Sequence, residues 1–189
     1  MPKILDTAER EQTVIAAAWR VIARDGVAAL TVRNVAAEAG LAPSSLRYTF
    51  PTQTAVREKA LRAAVQQITA RVEGLDTKLV GLDYTRSALL ELLPLDAPRK
   101  LEMAVFLALG MASLSDHALK PLWRDAGAAV RHVCAGALGA AGIEPEQERV
   151  DHLHALIDGL ALHLLTAPDN RDPDWAAEVI DRHITGLQH

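Results

Sequence analysis

The chain has 189 residues, 50% of them hydrophobic and 23% charged, enough to build the core of one or two small globular domains. Its one cysteine, Cys134, excludes an intrachain disulfide and any cysteine-based zinc site, and with an aromatic share of 4% the apolar mass rests on Ala and Leu, which favour helix over sheet. The net charge of −4 is uneven: residues 1–60 carry eight Lys/Arg against six Asp/Glu and the remainder twelve against eighteen, so phosphate contact is excluded less for the N-terminal part than for the acidic rest.

No run alternates in the manner of a strand, so the expected fold is all-α. The first ten residues have no apolar stretch long enough for a signal peptide. The most apolar segment, 103–114, falls short of the roughly 20 residues that span a bilayer. A cytoplasmic protein with no membrane partner is expected.

In chain order, a first helix is predicted over 10–24, with Val14, Ala17, Ala18, Val21 and Ile22 inward and Asp25-Gly26 stopping it. Val32, Val35, Ala36 and Ala39 then recur at helical spacing behind Thr31, a good N-cap, and Gly40 supplies the left-handed residue that closes many helices. Pro43 restarts the chain, with Leu46 and Phe50 on the buried side of a second short helix. Its outer side carries Ser44, Ser45, Arg47, Tyr48 and Thr49. Two short helices around a tight Gly turn, the second showing hydroxyls, an Arg and a Tyr, have the layout of a helix-turn-helix DNA reader.

Pro51 breaks the chain and Thr52 caps a long fourth helix to about residue 73, with Val56, Ala60, Ala63, Ala64, Ile68 and Val72 as its buried stripe. Gly74 and Gly81 bracket a linker turn. Helices are then expected over 84–93, over 99–114 behind Asp96 as cap, over 117–141 with a bend at Pro121, over 146–166 and over 175–187, with a loop at 168–173. That makes about nine helices, three plus six.

The run LTVRNVAAEAGLAPSSLRYTFPTQTAVREKAL, residues 30–61, resembles the DNA-binding domain of the TetR family of bacterial transcriptional repressors. The matching positions are Ala17, Gly26, Thr31, Val32, Val35, Ala36, Ala39, Gly40, Leu41, Leu46, Phe50 and Leu61. A looser likeness reaches the C-terminus, where residues 154–163 look like the dimerisation helix of a choline-repressor-like subgroup. Three positions depart from the family pattern. Ala42 stands where a capping Ser is usual, a loss that typically costs about 1 kcal/mol; Gln53 replaces a phosphate-touching Lys; and Arg47 replaces a frequent Tyr.

The resemblance implies a DNA-binding domain over residues 1–54 and a ligand-binding and dimerisation domain over residues 55–189. The candidate DNA-binding residues are Thr31, Arg33, Ser44, Ser45, Arg47, Tyr48, Thr49, Thr52, Gln53 and Thr54. Arg47 is the best base reader, because a guanidinium takes guanine O6 and N7 together. Tyr48 is suited to a phosphate at the groove wall, and Thr31, Thr52 and Thr54 sit at helix starts that favour phosphate while also capping.

An inducer pocket is implied in the C-terminal domain. Met103, Phe106, Leu107, Met111 and Trp123 are its candidate lining, for a small molecule that is mainly apolar or aromatic; core packing is the competing role of each. Leu153, Leu156, Ile157, Leu160, Leu164, Trp175 and Val179 form stripes suited to a homodimer reading two half-sites of a palindromic operator in double-stranded DNA, or to the protomer's own core.

His152 and His154 project about 200° apart on a helix and cannot share a metal, so no metal and no cofactor are expected. The Gly136-Ala-Leu-Gly139 run has no strand before it, and no nucleophile elbow, Walker loop or His-Glu-x-x-His occurs, so the chain reads as no enzyme. A ligand-responsive repressor is the expected function. An activator, a constitutive DNA binder, and a helical enzyme or small-molecule binder with a similar hairpin are the alternatives.

Overall fold

The computed structural model describes residues 7–168 and 172–187, and every regular element among them is helical. The α-helices are α1 (Thr7–Asp25), α2 (Val32–Glu38), α3 (Pro43–Thr49), α4 (Gln53–Glu73), α5 (Gly81–Glu91), α6 (Ala97–Ser113), α7 (Lys120–Ala140), α8 (Gln147–Thr166) and α9 (Asp174–Gly186). All nine lie within a few residues of their expected positions. A 3-10 turn at Val27–Ala29, absent from the sequence reading, fills the gap between α1 and α2. Of the loop expected over 168–173, residues 169–171 lie outside the described residues.

The caps explain why the boundaries were legible. Thr31 Oγ1 accepts from the Asn34 N–H at 3.1 Å, Thr52 Oγ1 from Ala55 at 3.1 Å, and Asp96 Oδ1 from Arg99 at 2.8 Å. At the end of α2, Gly40 takes φ 66, which lets the Leu41 N–H return to the Ala36 carbonyl at 2.8 Å. A side chain at position 40 would be strained by that backbone. Pro121 does not bend α7. The helix starts at Lys120, so Pro121 falls in its first turn, where the missing N–H has no intrahelical partner to lose.

The chain divides into two compact units, and the divisions fall inside α4, α6 and α7. The first comprises residues 1–64 and 104–124. Its core is the expected α1 stripe, with Val14, Ala17, Ala18, Val21 and Ile22 all buried, closed by Leu30, Val35, Leu46, Phe50, Val56 and Leu61. Each large aliphatic side chain so buried contributes roughly 1.5–3 kcal/mol. Trp19 donates from Nε1 to the Ala60 carbonyl at 3.1 Å, tying α1 to α4.

The second unit comprises residues 65–103 and 125–189. Leu89, Leu93, Leu138, Leu153, Ile157 and Ile180 form its centre. Thr85 is fully buried and donates to the Ala137 carbonyl at 2.6 Å, joining α5 to α7. Arg71 at the end of α4 bonds Glu102 of α6 at 2.8 and 2.9 Å and Glu91 of α5 at 3.0 Å, while Arg99 also reaches Glu91. Glu102 foremost, and then Glu91, hold the Arg71 guanidinium firmly charged.

Candidate nucleic-acid interface

The helix-turn-helix is built from α2 and α3. Val35 and Ala36 of α2, with Leu46 of α3, face inward at no more than 1% exposure, so the rest of each helix must face out. α3 begins at Ala42 with no side-chain cap, as the Ala in place of Ser implies, and Pro43 at its first turn supplies preset backbone geometry instead.

The outward face of α3 carries Ser44, Arg47, Tyr48 and Thr49, all exposed, with Tyr48 at 94%. A large aromatic in water at that level has no packing role in the lone chain. Arg33 on α2 is likewise exposed. Neither Arg33 nor Arg47 makes an ion pair among the described residues.

Several other cations of this unit are treated differently. Arg20 and Arg24 of α1 bond opposite oxygens of Glu38 at 2.7 and 2.9 Å, Arg62 pairs with Glu58, and Lys59 with Glu11. Hydrogen bonds from Arg20 and then Arg24 hold the Glu38 carboxyl below its ordinary range. Beside α3, Thr49 and Phe50 join Glu11, Glu58, Lys59 and Arg62 around an open groove of about 350 Å³. Its charges neutralise one another, so it adds nothing to the positive side of the hairpin.

The remaining DNA candidates take their expected places. Thr31 and Thr52 accept backbone N–H groups as caps, and Gln53 and Thr54 are half-exposed in the first turn of α4. Ser45 is the exception. It is half-buried and accepts a hydrogen bond from Arg10 of α1, a residue the sequence reading passed over. Nothing in the local pattern marks Arg10, because the contact spans 35 residues.

Arg57 of α4 was also passed over. It bonds Asp116, just beyond α6, at 2.9 Å and lies 3.5 Å from the Val27 carbonyl, while its Nε is buried without a hydrogen-bond partner among the described residues. Arg57 thus links the turn before α2 to the segment after α6 within one unit.

The candidate ligand residues separate. Phe106 and Trp123 form an aromatic pair in the first unit, with centroids 4.7 Å apart and planes tilted by 51°. The Trp123 ring lies so close over Gly110 that an added Cβ would come within 2.5 Å of it. Leu107 is half-buried. Met111 is 68% exposed and lines no interior wall: it sits on the opposite side of α6 from the buried Phe106 and Leu109. Met103 is buried within the second unit.

The dimer stripe also needs correction. Leu153, Ile157, Leu160 and Leu164 are 0–5% exposed in the single chain, so a second copy has no surface of theirs to cover. Their side of α8 serves the protomer core. Leu156, Trp175 and Val179 are half-buried, and the outer side of α8 carries His152, Ala155, Leu162 and His163, with Leu162 at 53%. The 3.6-residue period showed that α8 has an apolar stripe but not what lies against it.

Among the described residues no cluster of His, Cys, Asp and Glu could hold a metal, and no helix is long and apolar enough to cross a membrane. Burial pushes the Cys134 thiol up to about 12, which makes it an inert core thiol at neutral pH.

Comparison with known proteins meets this geometry at both ends of the chain. Residues 14–60 match the family "Bacterial regulatory proteins, tetR family", and residues 82–189 match "BetI-type transcriptional repressor, C-terminal". The HTH-type transcriptional regulator PksA of Bacillus subtilis (strain 168) is 27% identical over 193 residues, covering 99% of this chain and 94% of that protein. The multidrug binding protein EbrR, solved in complex with ethidium, is 30% identical, covers 92% of this chain and 98% of its own, and superposes with a TM-score of 0.67. A transcriptional regulator from Rhodococcus sp. Rha1 superposes with a TM-score of 0.81 at 25% identity, over 94% of this chain and 95% of that one.

Proposed function

The chain belongs to the tetR family of bacterial regulatory proteins, with a BetI-type C-terminal part, and from that premise we propose that it holds a palindromic operator as a homodimer until a small, mainly apolar molecule releases it. It is a DNA-binding transcriptional regulator, as its relatives are, and not an enzyme. In this reading residues 1–54 bind DNA in the cytoplasm and residues 55–189 bind ligand and pair the protomers.

One observation carries the DNA side. Arg33, Arg47 and Tyr48 stand exposed on the hairpin, with both arginines free of carboxylates among the described residues, while Arg20, Arg24, Lys59 and Arg62 behind them are paired with carboxylates. Arg47 reads a guanine edge, and Arg33, Ser44, Tyr48, Thr49, Thr52, Gln53 and Thr54 position the hairpin on phosphates. Titration of duplex DNA flanking the protein's own gene, from 50 to 200 mM salt, tests this. A specific complex that weakens steeply with salt is expected. Binding no tighter than to scrambled duplex would overturn the reading.

On the ligand side, the Phe106–Trp123 pair supports an aromatic ligand beside Leu107, a choice in keeping with the ethidium bound by EbrR. A ligand that parts this pair would move the segment holding Asp116, and with it Arg57 and the turn before α2. Ligand and operator then weaken each other by the same factor, typically 5–150-fold. Equal ligand affinity with and without operator would sink the inducer mechanism alone. The dimer is expected to use the outer sides of α8 and α9, so Leu162→Glu should yield folded monomers in sedimentation. A dimer that survives that change would place the contact elsewhere.

A further inference from the structure

Among the described residues, Ser45 is the one hydroxyl of α3 that is hydrogen-bonded by a side chain of another helix. Arg10, in the first turns of α1, donates a guanidinium N–H to Ser45 Oγ at a half-buried contact. A hydroxyl has one proton and two lone pairs, whereas a guanidinium offers donors only. With a lone pair turned to Arg10, the Ser45 proton must point elsewhere. The adjacent positive charge also repels any second donor that approaches the oxygen.

Ser44 carries the same group with no such constraint: it is exposed, and no hydrogen bond to its side chain occurs among the described residues. Two neighbouring serines therefore differ in polarity. One can donate or accept, and the other is held as a donor.

We infer that Arg10 is a positioning residue of the DNA interface, holding Ser45 as a hydrogen-bond donor toward an acceptor atom of the duplex. This rests on α3 being the recognition helix. Phosphate oxygens, guanine O6 and N7, adenine N7 and thymine O4 are acceptors; cytosine N4 and adenine N6 are donors and are disfavoured beside this pair. Arg10 also brings to α3 a positive charge from outside the hairpin, which reinforces phosphate contact in the same place.

The test uses the full chain and duplexes selected from a random pool by the unaltered protein. Affinities of Arg10→Ala, Arg10→Lys, Ser45→Ala and the double variant Arg10→Ala/Ser45→Ala are measured by fluorescence anisotropy from 50 to 200 mM salt, with circular dichroism to confirm folding. Each Ala variant is expected to lose roughly tenfold, the scale of one hydrogen bond involving a charged group. The double variant should lose little more than the weaker single one, because the two residues act as a unit. Loss confined to one base position per half-site identifies a base acceptor; uniform loss with a salt slope reduced by about 1 identifies a phosphate.

Losses that multiply in the double variant, or an Arg10→Ala protein that binds like the original, would overturn the role of Arg10 and leave the DNA reading intact. If Arg10→Ala fails to fold, Ser45→Ala decides, with Arg10→Lys, which keeps a charged donor, expected to bind near the original: full affinity of Ser45→Ala with an unchanged base preference would overturn it too. Failure of the unaltered protein to select any duplex would instead remove the DNA reading itself.

Discussion

Arg47 on α3 and Arg71 on α4 are the same residue type on consecutive helices, with opposite fates. Arg47 is exposed with no acidic partner among the described residues. Arg71 reaches two carboxylates and the Glu91 carbonyl, and one of those carboxylates, Glu102, is only 3% exposed. An arginine is available to a phosphate or a base only if its own chain supplies no carboxylate first. The carboxylates, more than the arginines, decide which region of this molecule can meet DNA.

Breaking the Arg71 side should give the largest effect. Arg71→Ala leaves the Glu102 carboxylate buried without its guanidinium, a change that costs about 3–5 kcal/mol in comparable buried pairs. Urea denaturation followed by circular dichroism checks it. A loss much below that range would mean that Glu102 takes up a proton or reaches water. Arg47→Ala should do the reverse, leaving the denaturation midpoint unmoved and weakening the cognate complex by about 1–3 kcal/mol, with little change on scrambled DNA. Equal losses on both duplexes would make Arg47 a phosphate contact.

A smaller effect sharpens the comparison through pH. Burial first, and then His152, holds His183 of α9 below the usual histidine range. Its folded pKa is depressed, so below about pH 6.5 the unfolded chain binds the extra proton before the folded one does. Stability should fall with acidification across the window between 6.5 and the lower folded value. His183→Gln should flatten that slope; an unchanged slope between pH 7 and 5.5 would assign it to other groups. The smallest expected signal is at Cys134, whose thiol should resist aromatic disulfide reagents at pH 7.5 in the native protein and react once unfolded. Prompt native labelling would show that the helices around it open.

What the sequence disclosed, and what it withheld, follows from range. The caps at Thr31, Thr52 and Asp96 and the turn at Gly40 act within three to five residues, so their positions could be read directly. The α1 stripe was equally plain. Arg10–Ser45, Arg57–Asp116 and Arg71–Glu102 span 35, 59 and 31 residues and leave no local trace. Met111 and the Leu153–Leu164 stripe failed for another reason. Residue type identified them as apolar, but only the packed helices determine that Met111 faces water and that the leucines face their own protomer.

The placing of the tryptophans gives the molecule a built-in optical readout. Trp19 is 6% exposed and hydrogen-bonded to the Ala60 carbonyl, so its emission should stay constant while the helical core is intact. Trp123 is half-buried, resting on the Gly110 backbone against the Phe106 ring. Any event that parts that aromatic pair changes the quenching and polarity around Trp123 and leaves Trp19 as an internal reference; with the third indole, Trp175 of α9, replaced by Phe, such an event can be timed in solution without an added label.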